Sequence, residues 1–81
     1  MTLYEWDELL YYGETLCNDL REAGHNVEPR VYYMYDGRKG ISFIVRDRRG
    51  NFHKEYFSGI GSLATMKNTL AQNARRIRNG E

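Results

Sequence analysis

The chain has 81 residues, a formal net charge of +1 and one cysteine, and 41% of its residues are hydrophobic. This length predicts a single domain over residues 1–81, and the lone cysteine excludes an internal disulfide, which favours an intracellular chain. No apolar run approaches the roughly 20 residues of a membrane-spanning helix, and acids stand where a signal peptide is basic, so we expect a cytoplasmic protein without membrane contacts.

The charge is distributed unevenly along the chain. Residues 1–24 hold six acids and one base, whereas residues 25–81 hold five acids and eleven bases. An acidic first third and a basic remainder can form different surfaces of one folded domain. Two interpretations stay open, because the two regions are either separate binding surfaces or complementary charges that keep the domain soluble.

The first predicted element is a helix over residues 3–23. Thr2 and Glu5 fit a capping box, in which each side chain accepts a hydrogen bond from a backbone donor at the helix start. Gly13 lies at the centre of the apolar stripe, and we expect close approach to the sheet to offset its cost of about 1 kcal/mol in a helix. The stripe consists of Leu3, Trp6, Leu9, Leu10, Leu16, Cys17, Leu20 and Ala23.

The opposite face of this helix combines acids with tyrosines. Tyrosine offers a large contact area and loses little side-chain entropy on binding, so this face is a candidate protein-binding surface. The alternative is that the rings only cover neighbouring side chains. The candidate partner-binding residues are Tyr4, Asp7, Glu8, Tyr11 and Glu14.

Three antiparallel strands follow, predicted over residues 30–36, 41–47 and 51–57. They are rich in Val, Ile, Tyr and Phe, and the turn clusters 36–40 and 47–50 separate them. Short turns of this kind predict a meander in which each strand pairs with the next.

Alternation within the strands predicts the pairing register and the two faces of the sheet. We expect Tyr35 to lie opposite Ile41, and Val45 to lie opposite Phe52. The resulting core face carries Val31, Tyr33, Tyr35, Ile41, Phe43, Val45, Phe52, Lys54 and Tyr56.

The second face of the sheet is unusually apolar, with Tyr32, Met34, Ile44 and Phe57 among its residues. Either one helix covers each face, or both helices cover one face and these four residues form an exposed patch for a partner or for a homodimer. The second helix has a narrow apolar stripe, which favours both helices on one face. We therefore predict an α+β fold of helix, three-stranded antiparallel meander and helix, with the helices packed on one face of the sheet.

The last predicted element is a helix over residues 62–78, which Ser62 can cap after a flexible link at residues 58–61. Its stripe consists of Leu63, Met66, Leu70, Ala74 and Ile77. The basic residues of this helix and of the two hairpin tips form a second candidate site, for nucleic acid. They are Arg38, Lys39, Arg48, Arg49, Lys67, Arg75 and Arg78.

No residue pattern indicates catalysis, a metal or a cofactor. His25 and His53 lie in different elements and lack the further ligands of a zinc site. Cys17 lies in the apolar stripe, where a packing thiol is expected instead of a nucleophile. We therefore expect a non-catalytic protein with no metal and no cofactor.

The order helix, three strands, helix resembles the double-stranded RNA-binding domain. Residues 59–67 are similar to that family's glycine-containing approach to its lysine-rich second helix, although Lys67 is the only lysine there. The resemblance implies contacts between the start of the last helix and phosphates across the RNA major groove. The acidic first helix departs from the family, which contacts RNA with that element.

The chain also resembles the small proteins that phages encode to inhibit bacterial defence, among them anti-CRISPR proteins. The similarity lies in its size, its helix and sheet composition without disulfides, its lack of a catalytic set and its uneven charge. It implies an inhibitor that blocks a site on a larger protein or nucleoprotein complex, and the acids and tyrosines of the first helix fit this function. The alternative is a nucleic-acid-binding domain that uses the hairpin tips and the last helix.

Overall fold

A computed structural model describes residues 1–81. The elements follow in the order α1 (Leu3–Glu22), β1 (Asn26–Tyr33), β2 (Lys39–Arg46), β3 (Phe52–Phe57) and α2 (Leu63–Arg78). The strands form one antiparallel sheet in the order β1, β2, β3. The predicted α+β fold with a three-stranded meander between two helices is confirmed.

The capping box fixes the start of α1. The Thr2 amide donates to Glu5 Oε1 at 2.9 Å, and the Glu5 amide donates to Thr2 Oγ1 at 3.1 Å. The hydrogen bonds from Thr2 favour the ionised carboxylate and hold the pKa of Glu5 below its ordinary value. Leu3 was expected in the apolar stripe but is exposed, whereas Trp6, the next residue of the stripe, packs against the core.

The first strand begins four residues earlier than the sequence predicted and includes Pro29. Val27 lies opposite Val45, and Pro29 lies opposite Phe43. Proline has no backbone N–H, which a central strand cannot tolerate, but β1 has only β2 as a neighbour. An edge strand can therefore include Pro29, which lies just before the predicted start of β1 at residue 30.

Both predicted registers were wrong, although the two faces were assigned correctly for most residues of the paired strands. Ile41 lies opposite Val31 instead of Tyr35, and Val45 lies opposite Lys54 instead of Phe52. These shifts of four and two residues are even, so each side chain before the bulge keeps its predicted side of the sheet. Tyr33 was expected in the core but is 71% exposed at the end of β1. A β-bulge after Val45 turns Phe52 towards solvent.

Turn chemistry explains the true registers. In the first turn Met34 and Arg38 pair through the Met34 amide and the Arg38 carbonyl at 2.8 Å, which leaves Tyr35 fully exposed at the tip. In the second turn Asp47 Oδ1 accepts hydrogen bonds from the Arg49 and Asn51 amides, both at 2.9 Å. The bonds from these amides, that of Asn51 above all, hold the pKa of Asp47 below its ordinary value.

Both helices pack on one face of the sheet, as predicted. Glu8 contacts Lys67 and Gly13 lies beside Leu70, so α1 and α2 run side by side in the same direction. Cys17 is fully buried in this layer, and burial raises the pKa of its thiol to about 12. The core consists of Leu9, Cys17, Leu20, Val27, Ile41, Phe43, Tyr56, Met66, Leu70, Ala74 and Ile77.

The first residue after β3, Ser58, is held by hydrogen bonds to the sheet. Ser58, which the sequence interpretation placed in a flexible link, is buried and continues the pairing of β3 with β2. Its amide donates to the Ile41 carbonyl at 2.9 Å, and its Oγ accepts a hydrogen bond from the Ile41 amide at 3.2 Å. Asn73 of α2 adds a second tie, because its side-chain amide donates to the Phe57 carbonyl at 3.2 Å.

Gly13 is not required by lack of space. A Cβ atom built there would lie 3.8 Å from Phe43 Cε1 and 3.9 Å from Leu70 Cδ1, which are ordinary contact distances. Gly13→Ala is therefore expected to raise the free energy of unfolding by about 0.5–1 kcal/mol, measured by chemical denaturation. Gly24→Ala is the control, since Gly24 has a φ of 95° and alanine there should destabilise the domain. A loss of stability in Gly13→Ala would contradict the prediction.

Candidate functional site

The five candidate partner-binding residues of α1 all lie at the surface. Tyr4 is 90% exposed and Tyr11 is 77% exposed, and Asp7, Glu8 and Glu14 are exposed as well. Spacings of three, four and seven residues place them along one side of a helix. We call Tyr4, Asp7, Glu8, Tyr11 and Glu14 the acid-tyrosine face.

Two of the three carboxylates in the acid-tyrosine face have ion-pair partners within the domain. Glu8 Oε2 lies 3.2 Å from Lys67 Nζ, and Glu14 Oε2 lies 3.6 Å from Arg21 Nη1. Asp7 has no ion pair. Exposed pairs of this kind contribute about 0–1 kcal/mol, so a partner with a basic surface can replace them at little cost.

Lys67 connects the two helices and does not belong to a basic surface. Its ammonium group lies 5.0 Å from the centre of the Tyr12 ring and also contacts Glu8. The sequence interpretation grouped Lys67 with the nucleic-acid candidates, but the structure places it beside the acid-tyrosine face. No local pattern indicates this contact, because Lys67 and Glu8 are 59 residues apart in the chain.

The basic candidates do not form one surface. In the first tip Arg38 Nε pairs with Asp36 Oδ2 at 2.6 Å, and Lys39 Nζ lies 4.7 Å from the centre of the Trp6 ring. The second tip lies at the opposite end of β2. The candidates Arg38, Lys39 and Lys67 therefore already have neighbours within the domain.

The other four basic candidates share one end of the domain. The end of α2 meets the end of the sheet that carries the second tip, because Ile77 and Val45 line the same cavity of about 290 Å³. This end is where β2 leads into the second hairpin tip. The four residues are exposed and form no ion pair, and they are Arg48, Arg49, Arg75 and Arg78.

The sequence interpretation missed a cluster at this end of the domain. His25, which precedes β1, and His53 of β3 both line the cavity together with Lys54 and Tyr56. The Lys54 ammonium lies 4.7 Å from the centre of the Tyr56 ring, and the Arg76 guanidinium lies 5.2 Å from it. Cation contacts with an aromatic ring hold both basic side chains in place.

The second face of the sheet carries no helix, but one of its four apolar candidates is buried. Ile44 is 6% exposed, because Glu28 and Glu55 flank it on the neighbouring strands. Both acids pair with arginines of the same face, Arg46 with Glu28 at 3.0 Å and Arg30 with Glu55 at 3.7 Å.

The remaining apolar candidates of this face lie towards the end of the sheet that carries the first turn. Tyr32 and Phe57 pack edge to face, with ring centres 5.2 Å apart, at one end of the sheet. The Tyr32 hydroxyl also donates to the Gly59 carbonyl at 3.2 Å. Met34 lies in the first turn, outside β1.

No group of three or more His, Cys, Asp or Glu side chains is placed to hold a metal ion. Neither helix is long and apolar enough to cross a membrane. Comparisons with protein families, with curated proteins and with solved structures find no match to this chain.

Proposed function

We propose that this chain is a cytoplasmic, non-catalytic binding protein that inhibits a larger protein or nucleoprotein complex through the acid-tyrosine face. The observation that carries the proposal is the exposure of Tyr4 and Tyr11 on the same side of a packed helix. Two large aromatic side chains without intramolecular partners are costly to expose and are typical of contact residues.

The geometry of α1 supports this function. Tyr4 and Tyr11 are separated by seven residues, which corresponds to about 10 Å along the helix axis. The carboxylates of Asp7 and Glu8 lie between the rings. A rigid row of ring, acids and ring complements a groove that is basic and partly apolar, as a nucleic-acid-binding groove on a large complex is.

The resemblance to phage-encoded inhibitors of bacterial defence is consistent with this mode of action. Negative charge on α1 would compete with nucleic acid for a basic site, and the tyrosines would supply the buried contacts. Inhibition by occupancy needs no chemical step.

Affinity capture from a bacterial lysate tests the proposal with matched variants. The double variant Glu8→Ala and Tyr11→Ala is expected to lower recovery of the captured complex at least tenfold, because aromatic contact residues dominate interface energies. Its free energy of unfolding should change by no more than about 1 kcal/mol, since both side chains are exposed.

The control is the double variant Tyr35→Ala and Glu81→Ala, which removes one exposed tyrosine and one exposed acid outside α1. It should capture the same complex as the unmodified chain. Equal recovery by all three proteins would contradict the proposal. A large loss of stability in the first variant would show that the face serves packing.

The second candidate function is nucleic-acid binding, favoured by the four unpaired arginines that share one end of the domain. Binding to double-stranded RNA, double-stranded DNA and single strands, each at low and physiological salt, discriminates the two functions. The inhibitor proposal predicts no binding at physiological salt. Binding that persists there and is lost in Arg48→Ala with Arg49→Ala would establish the second function instead.

A further inference from the structure

A second feature of the domain has no part in the proposed function. A cavity of about 410 Å³ lies where the start of α1, the first turn and the link before α2 meet. Half of its ten lining residues are hydrophobic, among them Leu3, Trp6 and Met66. Cavities of about 300–1,000 Å³ with a largely apolar lining and a few polar groups are typical of small-molecule sites.

The charged side chains that line this cavity are all positive. Arg38 and Lys39 line it, and no acid does. Arg38 Nε forms an ion pair with Asp36 Oδ2 at 2.6 Å. Lys39 forms no ion pair, and its Nζ lies 4.7 Å from the centre of the Trp6 ring. Lys39 is half-buried, so its charge is less screened than that of a fully exposed lysine.

We infer that this cavity binds a small organic anion with a flat apolar body, such as an aryl phosphate or an aryl carboxylate. Trp6, Leu3 and Met66 would pack against the body. The Lys39 ammonium would pair with the anionic group, and Arg38 would add a second donor in a fixed orientation. Neither inorganic phosphate nor a neutral aromatic compound uses both parts of the cavity.

The inference does not depend on the proposed function. Leu3 and Trp6 line the cavity, whereas Tyr4 does not line it and is 90% exposed. Partner capture and anion binding can therefore fail separately, since their variants share no residue.

Amide-resolved NMR titrations test the inference with three probes that separate its two parts. 2-Naphthyl phosphate carries both the flat body and the anion, 2-naphthol carries the body alone, and inorganic phosphate carries the anion alone. We expect the first probe to shift the signals of Trp6, Gly37 and Gly61, which line the cavity. The other two should bind at least tenfold more weakly, as each lacks one set of contacts.

Lys54 provides a matched control for Lys39. Each lysine lies 4.7 Å from an aromatic ring and lines a cavity, but the two cavities lie at opposite ends of the sheet. Lys39→Gln is expected to weaken 2-naphthyl phosphate binding about tenfold, and Lys54→Gln should leave it unchanged. Equal losses in both variants would indicate unspecific attraction and overturn the inference. Absence of signal shifts at the cavity with 2-naphthyl phosphate would overturn it as well.

Discussion

Phe43→Ala is expected to lower the free energy of unfolding by about 3–5 kcal/mol. Phe43 is 0% exposed and lies on the central strand, opposite Pro29 on one side and Tyr56 on the other. A domain of this length has a total stability of about 4–12 kcal/mol, so the variant loses a large part of it. Urea denaturation followed by circular dichroism measures the loss.

Phe57→Ala is the control for Phe43→Ala, because it removes the same side chain from a residue that is 56% exposed. It loses one edge-to-face contact with Tyr32, so we expect a loss of about 0.5–1.5 kcal/mol. Similar losses in the two variants would contradict the assignment of the core to the face that both helices cover.

Ser58→Ala is expected to lower the free energy of unfolding by about 1–3 kcal/mol. The substitution removes the hydroxyl that accepts a hydrogen bond from the Ile41 amide and donates one to the Ile41 carbonyl, and Ile41 is fully buried. An unpaired amide in the core costs its desolvation free energy, which is larger than the net gain of an ordinary hydrogen bond. Hydrogen exchange at the Ile41 amide, together with chemical denaturation, measures both effects.

The control for Ser58→Ala is Thr15→Ala on α1. The Thr15 hydroxyl donates to the Tyr11 carbonyl at 3.0 Å, but the residue is exposed, so water can replace that bond. Its stability should change by no more than about 0.5 kcal/mol. If the Ser58 variant changes as little, the hydroxyl does not support the Ile41 amide.

The element order and the faces of the sheet could be predicted from the sequence because they depend on local periodicity. The period of 3.6 residues separated the core side of α1 from Tyr4 and Tyr11, and Thr2 and Ser62 gave the helix starts. The period of two residues gave the faces of β2. These signals are repeated over many residues, so single exceptions such as Leu3 do not remove them.

The predicted registers were chosen to pair the largest number of apolar side chains. The true registers are set by hydrogen bonds in the two turns, which that criterion does not include. Pairing Tyr35 with Ile41 would bury one more aromatic ring, but the first turn begins at Met34 and leaves Tyr35 in solvent. The carboxylate of Asp47 binds amides on both sides of the second turn, and the bulge beside Arg46 follows from that closure.

The candidate surfaces were predictable only in part. The exposure of the acid-tyrosine face follows from the periodicity of one helix. The ion pair between Glu8 and Lys67 instead depends on how α1 and α2 pack. The cavity beside Trp6 brings together residues from three elements and has no motif in the sequence. Contacts between distant segments decide which charges are paired, and a single sequence does not contain them.

The reactivity of Cys17 can also be used to measure local opening of the domain. While α1 is packed, burial raises the pKa of the only thiol to about 12, so an alkylating reagent finds almost no thiolate at neutral pH. When the helix separates from the sheet, the thiol returns to an ordinary value of about 8.5 and reacts. When reclosing is faster than alkylation, the labelling rate in the unmodified chain therefore reports the fraction of molecules in which the layer between helix and sheet is open.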